Sequence, residues 1–147
     1  MKKFYCSLSL LICLSTTILY AQAKKPVAKK PAAGGLSASV AAGKKVYTLY
    51  CLTCHQADGG GVPNMNPPLI NTTYVLGDKN KIIQIVLKGF NENVEINGDT
   101  YTNVMPAQVS LTDQEVADVL TYVRNSFTNK ASAISAAEVK KVRATLK

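Results

Sequence analysis

Cys51-Leu52-Thr53-Cys54-His55 places two thiols and an imidazole within five residues. Thiols at this spacing can add to the two vinyl groups of a haem while the adjacent histidine turns its ring to the iron, so the cofactor is tethered and ligated at once. Two other chemistries use C-x-x-C. A structural zinc site needs four ligands, usually as two separated pairs. The remaining cysteines, Cys6 and Cys13, lie in the first thirteen residues, and His55 is the only histidine. A thioredoxin-like dithiol needs a βαβ setting, whereas the flanking sequence reads as helix and loop. One haem c per chain, bonded to Cys51 and Cys54 and ligated by His55, is the leading reading, with a redox dithiol as the alternative.

A single histidine excludes a bis-histidine iron within one chain. The remaining soft ligand is a methionine thioether, which favours ferrous iron. Met1 falls in a leader segment, which leaves Met65 and Met105. Met65 follows His55 by ten residues and would have to double back around the haem edge, while Met105 follows by fifty and can cross to the opposite face. Pro106 holds the residue before it out of the α region and stiffens its loop. Met105 is therefore the expected axial ligand, and Met65 an expected loop residue over apolar haem surface. An iron-bound histidine usually donates from its other ring nitrogen to a carbonyl. Here Pro67 is the first choice and Pro68 the second, and the alternative reading of the pair is a rigid turn.

Helices must hold these groups in place. The first is expected to begin near Ser37 or Ser39, either of which can cap it, and to run through Val40, Val46, Tyr47 and Tyr50 to the pentapeptide. Gly43, Tyr47 and Cys51 then lie along nearly one face. A glycine there costs about 1 kcal/mol against alanine, a cost that close approach by another helix would explain. Residues 56–80 are rich in Gly, Pro and Asn and read as an irregular loop that a haem could order. Lys81 to Lys88, with Ile82, Ile83, Ile85, Val86 and Leu87, suits a short buried helix ending at Gly89, with a β-strand as rival. After a second loop through Asn97-Gly98 and Met105-Pro106, Thr112 and Glu115 form a capping box. It opens a helix with Val116, Val119, Leu120, Val123 and Phe127 at helical spacing and Tyr122 on the same side. A second box, Ser135 and Glu138, opens a last helix. Val139, Val142 and Leu146 share one face, and Lys140, Lys141, Arg143 and Lys147 read as a solvated face near a helix C-terminus.

The N-terminus belongs to no such helix. Met1-Lys2-Lys3, the apolar stretch from Phe4 to Leu19 and Ala21-Gln22-Ala23 read as a secretory signal peptide cut after Ala23. The alternative is an uncleaved membrane anchor, although the apolar length falls short of the ~20 residues a spanning helix needs. Export agrees with covalent haem attachment and points to a bacterial periplasm. Residues 24–35 mix Lys with Pro, Ala and Gly and read as a disordered tail. The formal charge of +8 falls to +6 without Lys2 and Lys3, and to +2 for residues 31–147 once Lys24, Lys25, Lys29 and Lys30 are also set aside. The basic balance is thus a property of the tail and does not point to nucleic acid. It allows at most peripheral contact with an anionic lipid surface.

From about Gly43 to Arg124 the chain resembles a class I cytochrome c domain. The residues that carry the resemblance are Gly43-x-x-x-Tyr47-x-x-x-Cys51, the pentapeptide, Pro67-x-Leu69, Met105-Pro106 and Val119-x-x-Tyr122. More narrowly, Asn97-Gly98-Asp99-Thr100-Tyr101, Val104-Met105-Pro106-Ala107 and Leu120 to Phe127 are similar to haem domains attached to some copper nitrite reductases and alcohol dehydrogenases. The chain lacks the catalytic domain of such fusions and has Gln56 where a glycine is common. The resemblance implies an all-α fold of four to five helices around one covalently bound haem, occupying residues 36–130, with residues 131–147 as a helical extension. It also implies that the terminal helices cross at the glycine, setting Gly43 and Tyr47 against Val119 and Tyr122. The implied function is single-electron transfer between transient redox protein partners. No residue set resembles an acid-base pair or an activated nucleophile, so the chain is not expected to be an enzyme. The alternatives are an electron-transfer subunit of a periplasmic oxidoreductase or terminal oxidase, and a haem sensor or weak peroxidase with an open iron.

Overall fold

The computed structural model describes residues 35–146. The signal peptide expected over 1–23 and all but the last residue of the tail expected over 24–35 lie outside the described residues, as does Lys147. The described residues form α1 (Leu36–Tyr50), α2 (Leu52–His55), α3 (Thr73–Leu76), α4 (Lys79–Lys88), β1 (Val94–Ile96), β2 (Asp99–Tyr101), α5 (Asp113–Arg124) and α6 (Ala136–Ala144). The fold is mostly helical, as the resemblance implies, with two single-turn helices, α2 and α3, among six in these residues.

The crossing of α1 and α5 is the main packing contact. A Cβ on Gly43 would fall on the Asp118 carbonyl and within 2.7 Å of the Tyr122 Cβ, so only a glycine lets the two backbones come this close. One turn on, Tyr47 is 1% exposed and its ring lies 5.3 Å from those of both Tyr122 and Phe127. Ser39 does not cap α1. Gly35 is the N-cap, with no side-chain bond, and Ser39 instead donates to the Asp118 carboxylate across the crossing.

Helix α5 opens with the capping box of Thr112 and Glu115, and every residue from Val116 to Arg124 is buried. A one-sided apolar stripe does not describe it, because α1, α6 and α4 all pack around it. Phe127 lies beyond the helix end rather than on its face, at φ 53. Helix α6 opens with the box of Ser135 and Glu138 and buries Val139 and Val142 against α5 and α4. Its basic face is not wholly solvated. Arg143 donates to the Asp113 carboxylate and to the Leu111 carbonyl, both at 2.7 Å, and so ties the extension to the start of α5.

Helix α4 is capped by Asp78 and ends at Gly89, as the glycine suggests. Two stretches read as loop carry structure. Thr72 caps the turn α3. Val94 pairs with Tyr101 and Ile96 with Asp99 in a hairpin turned by Asn97 and Gly98, both at positive φ. Asn-Gly between alternating apolar residues is the usual signal of a two-residue turn. The strands, at three residues each, are too short to register as period-two segments.

Candidate functional site

Helix α1 runs almost unbroken into the pentapeptide. The Cys51 amide donates to the Tyr47 carbonyl, and the His55 amide to that of Cys51, both at 2.9 Å. This helical turn aims Cys51, Cys54 and His55 into one cleft, also lined by Leu69, Ile82, Val86, Val119, Leu120 and Val123. Counted out to its open mouth, the cleft holds about 1280 Å³ of empty space. No disulfide joins the two cysteines. Burial, with a smaller contribution from Cys54, pushes the Cys51 thiol up to about 11. A dithiol nucleophile needs the opposite shift, so the chemistry of Cys51 disfavours that alternative. Among the described residues no three of His, Cys, Asp and Glu are grouped to hold a bare metal ion.

The His55 ring is fixed from behind. Its Nδ1 lies 3.0 Å from the Pro67 carbonyl oxygen. A carbonyl can only accept, so Nδ1 carries the proton and Nε2 keeps its lone pair. Burial lowers the imidazole's affinity for a second proton, and the Pro67 bond opposes that only in part. Burial thus favours the neutral imidazole, and the Pro67 bond selects its Nδ1-protonated form. The loop bearing Pro67 is itself held: the Leu69 amide donates to the Gly59 carbonyl at 2.7 Å, and the Gly61 amide to that of His55 at 3.2 Å. Gly61 sits at φ 69 with Asn66 and Pro67 backbone against it, where a side chain would collide.

Met105 reaches the same cleft from the far side of the sequence. Its segment is strapped to the end of α4 by a two-bond bridge to Phe90. The Phe90 amide donates to the Met105 carbonyl at 2.9 Å, and the Met105 amide to that of Phe90 at 2.8 Å. Gly89, at φ 76, lies so close to the Met105–Ala107 backbone that no side chain fits. Met65 is 49% exposed and lines no part of the cleft. Its carbonyl accepts from the Asn103 amide, linking its loop to that of Met105. The structure thus brings Cys51, Cys54, His55, Pro67 and Met105 together and leaves Met65 outside.

Two buried polar residues that the sequence reading did not single out complete the frame. Asn129 donates to the Leu69 and Val123 carbonyls and accepts from the Asn71 amide, each at 2.8 Å, so it clamps the Pro67 loop to α5. Arg124 donates to the carbonyls of Val75, Gly77 and Ser132. Neither has a motif. Asn129 follows an irregular turn, and Arg124 sits where the end of a helix ordinarily carries an exposed cation.

Two thiols, a neutral imidazole with a free Nε2 and a thioether, in a mainly apolar cleft, are the donor set that a covalently bound haem requires. They are not a set that activates a water or a nucleophile. The family model described as cytochrome c matches residues 40–127. A cytochrome c-552 of Thermus thermophilus is 32% identical over 120 residues, covering 76% of this chain and 80% of the relative. The cytochrome c subunit of the quinone alcohol dehydrogenase of Komagataeibacter europaeus is 36% identical over 116 residues, covering 77% of this chain. The cytochrome subunit of the fructose dehydrogenase of Gluconobacter japonicus is 34% identical over 110 residues, covering 69% of this chain. The matched segments span only 24% and 22% of those two subunits.

Proposed function

We infer, from the premise that the chain belongs to the cytochrome c family, that it is an exported monohaem carrier moving single electrons between transient redox partners. In this reading Cys51 and Cys54 bind the haem covalently, and His55 and Met105 are the axial ligands of its iron. The observation that carries it is the convergence of His55 and Met105, fifty residues apart in sequence, on one apolar cleft with both thiols. Residues 36–130 form the haem domain. Residues 131–147 are the C-terminal extension, whose described part packs on that domain through α6, and residues 1–23 and 24–35 are the cleaved signal peptide and tail. No helix among the described residues is long and apolar enough to cross a membrane.

Haem bound there supplies an iron that cycles between ferric and ferrous forms. The protein's part is to hold ligands still and keep water out. The Pro67 carbonyl fixes the His55 tautomer and ring plane. The Phe90 bridge holds the Met105 backbone, and its thioether biases the site toward the ferrous form. Apolar side chains of α4 and α5, Ile82, Val86, Val119, Leu120 and Val123 among them, would surround the haem and shield it from water. Cys54 is exposed, so the cleft edge beside it is open to a partner. A weak interface of under about 1,200 Å² suits such encounters. In this reading the chain passes electrons on and catalyses no reaction of its own.

The similarity to dehydrogenase cytochrome subunits supports a second reading, in which the chain wires electrons into a separate periplasmic oxidoreductase. Purification from the native host separates the two, since a carrier elutes alone and a subunit brings its enzyme. The test of the shared claim is the intact mass and redox titration of the exported protein. Loss of residues 1–23, gain of one haem and a single one-electron transition are expected. A haem-free mass with a two-electron thiol couple would overturn it.

A further inference from the structure

The residue after His55 holds a conformation that its type resists. Gln56 has φ 62 and ψ 167. That region is open to glycine and strains a residue with a Cβ. Such strain persists only where the surroundings impose it, and the group that imposes it is visible. The hydroxyl of Tyr47 donates to the Gln56 carbonyl at 2.7 Å, a shorter bond than the 3.3 Å one the same carbonyl accepts from the Gly59 amide. Tyr47 is itself immovable, being 1% exposed and wedged between the rings of Tyr122 and Phe127 at the α1–α5 crossing. The only side-chain bond from Gln56 among the described residues runs to the Thr53 carbonyl within the same turn and pulls on nothing outside it.

We propose that Tyr47 is a positioning residue for the haem-ligating histidine: its hydroxyl pins the Gln56 carbonyl, keeps the strained peptide in place, and thereby fixes the direction in which His55 presents Nε2. This rests on the reading of His55 as axial ligand. The Pro67 carbonyl sets the ring's rotation, and the Tyr47 hydroxyl sets the backbone from which the ring hangs. Without the hydroxyl, Gln56 relaxes toward an ordinary conformation and carries the His55 carbonyl and side chain with it. A glycine at 56 would have no reason to relax, so the need for the hydroxyl disappears.

The test is the low-temperature EPR spectrum of the ferric holo-protein, whose low-spin signal reports the orientation of the axial histidine, recorded for wild type, Tyr47→Phe, Gln56→Gly and the double variant. Wild type and Gln56→Gly are expected to give one low-spin species, Tyr47→Phe a second, and the double variant one again. An unchanged Tyr47→Phe spectrum, or a second species that persists in the double variant, would overturn the proposal and leave Tyr47 a packing residue. A wild-type spectrum without a low-spin histidine signal would instead overturn the ligand reading. Should Tyr47→Phe not yield holo-protein, the double variant decides the matter: recovery of holo-protein once glycine replaces Gln56 is expected, and failure to recover it would overturn the proposal.

Discussion

No Cβ fits on Gly43, because the Asp118 carbonyl occupies the place it would take. The contact is backbone on backbone, so neither side has a flexible end that can swing away. It also sits one turn from Tyr47 and two turns from Cys51, which makes the helix crossing and the haem-binding turn parts of one rigid unit.

Gly43→Ala therefore destabilises the protein although alanine is the better helix former. The gain of about 1 kcal/mol in propensity is outweighed by overpacking of about 3 kcal/mol. A net loss on the order of 2 kcal/mol, read from the urea midpoint of holo-protein, is expected from these two terms. Equal or greater stability would mean that the helices do not touch here.

Arg124 is 3% exposed and satisfies three backbone carbonyls without a bonded carboxylate. Arg124→Met keeps much of the volume but leaves the Val75 and Ser132 carbonyls without their donor. This costs on the order of 3 kcal/mol by chemical denaturation. Arg124→Lys is expected to recover little, because an ammonium lacks the planar fork that reaches segments on both sides at once. Full recovery by lysine would reduce the role to charge.

Partial burial opposes ionisation of Glu138, yet bonds from the Ser135 amide and hydroxyl and from Lys79 bring its pKa from 4.5 down to about 2. A carboxyl more acidic folded than unfolded stabilises the fold above its unfolded pKa of 4.5, and that stability is lost as pH falls toward the folded value of about 2. The side chain is 39% exposed, so screening reduces the effect to about 1 kcal/mol. Glu138→Gln is expected to be less stable than wild type by that amount at about pH 7 and indistinguishable from it near the folded pKa of about 2. A gap that persists in acid would trace the loss to the cap geometry rather than to the charge.

The parts of this fold that announce themselves in the sequence do so through local physics. Thr112 with Glu115, and Ser135 with Glu138, satisfy orphan amides within four residues, so either segment shows its helix start directly. Gly43 was legible because a glycine in the middle of an amphipathic helix needs a reason. Ser39 is ambiguous for the converse reason: its hydroxyl could equally serve a local amide or, as it does, a carboxylate seventy-nine residues away. Asn129, Arg124 and the hydroxyl of Tyr47 act only through carbonyls brought near by the tertiary fold, and no local pattern marks them. The 94–101 hairpin had its signal in Asn97-Gly98, but strands of three residues give periodicity nothing to act on.

The proposed carrier depends on Met105 rather than Met65 closing the site opposite His55. The direct measurement is the visible spectrum of reduced holo-protein, before and after addition of carbon monoxide, for wild type, Met65→Ala and Met105→Ala. Wild type and Met65→Ala are expected to remain low-spin and untouched, and Met105→Ala alone to take up carbon monoxide. Uptake by wild type, or opening by Met65→Ala, would contradict a closed histidine-methionine carrier.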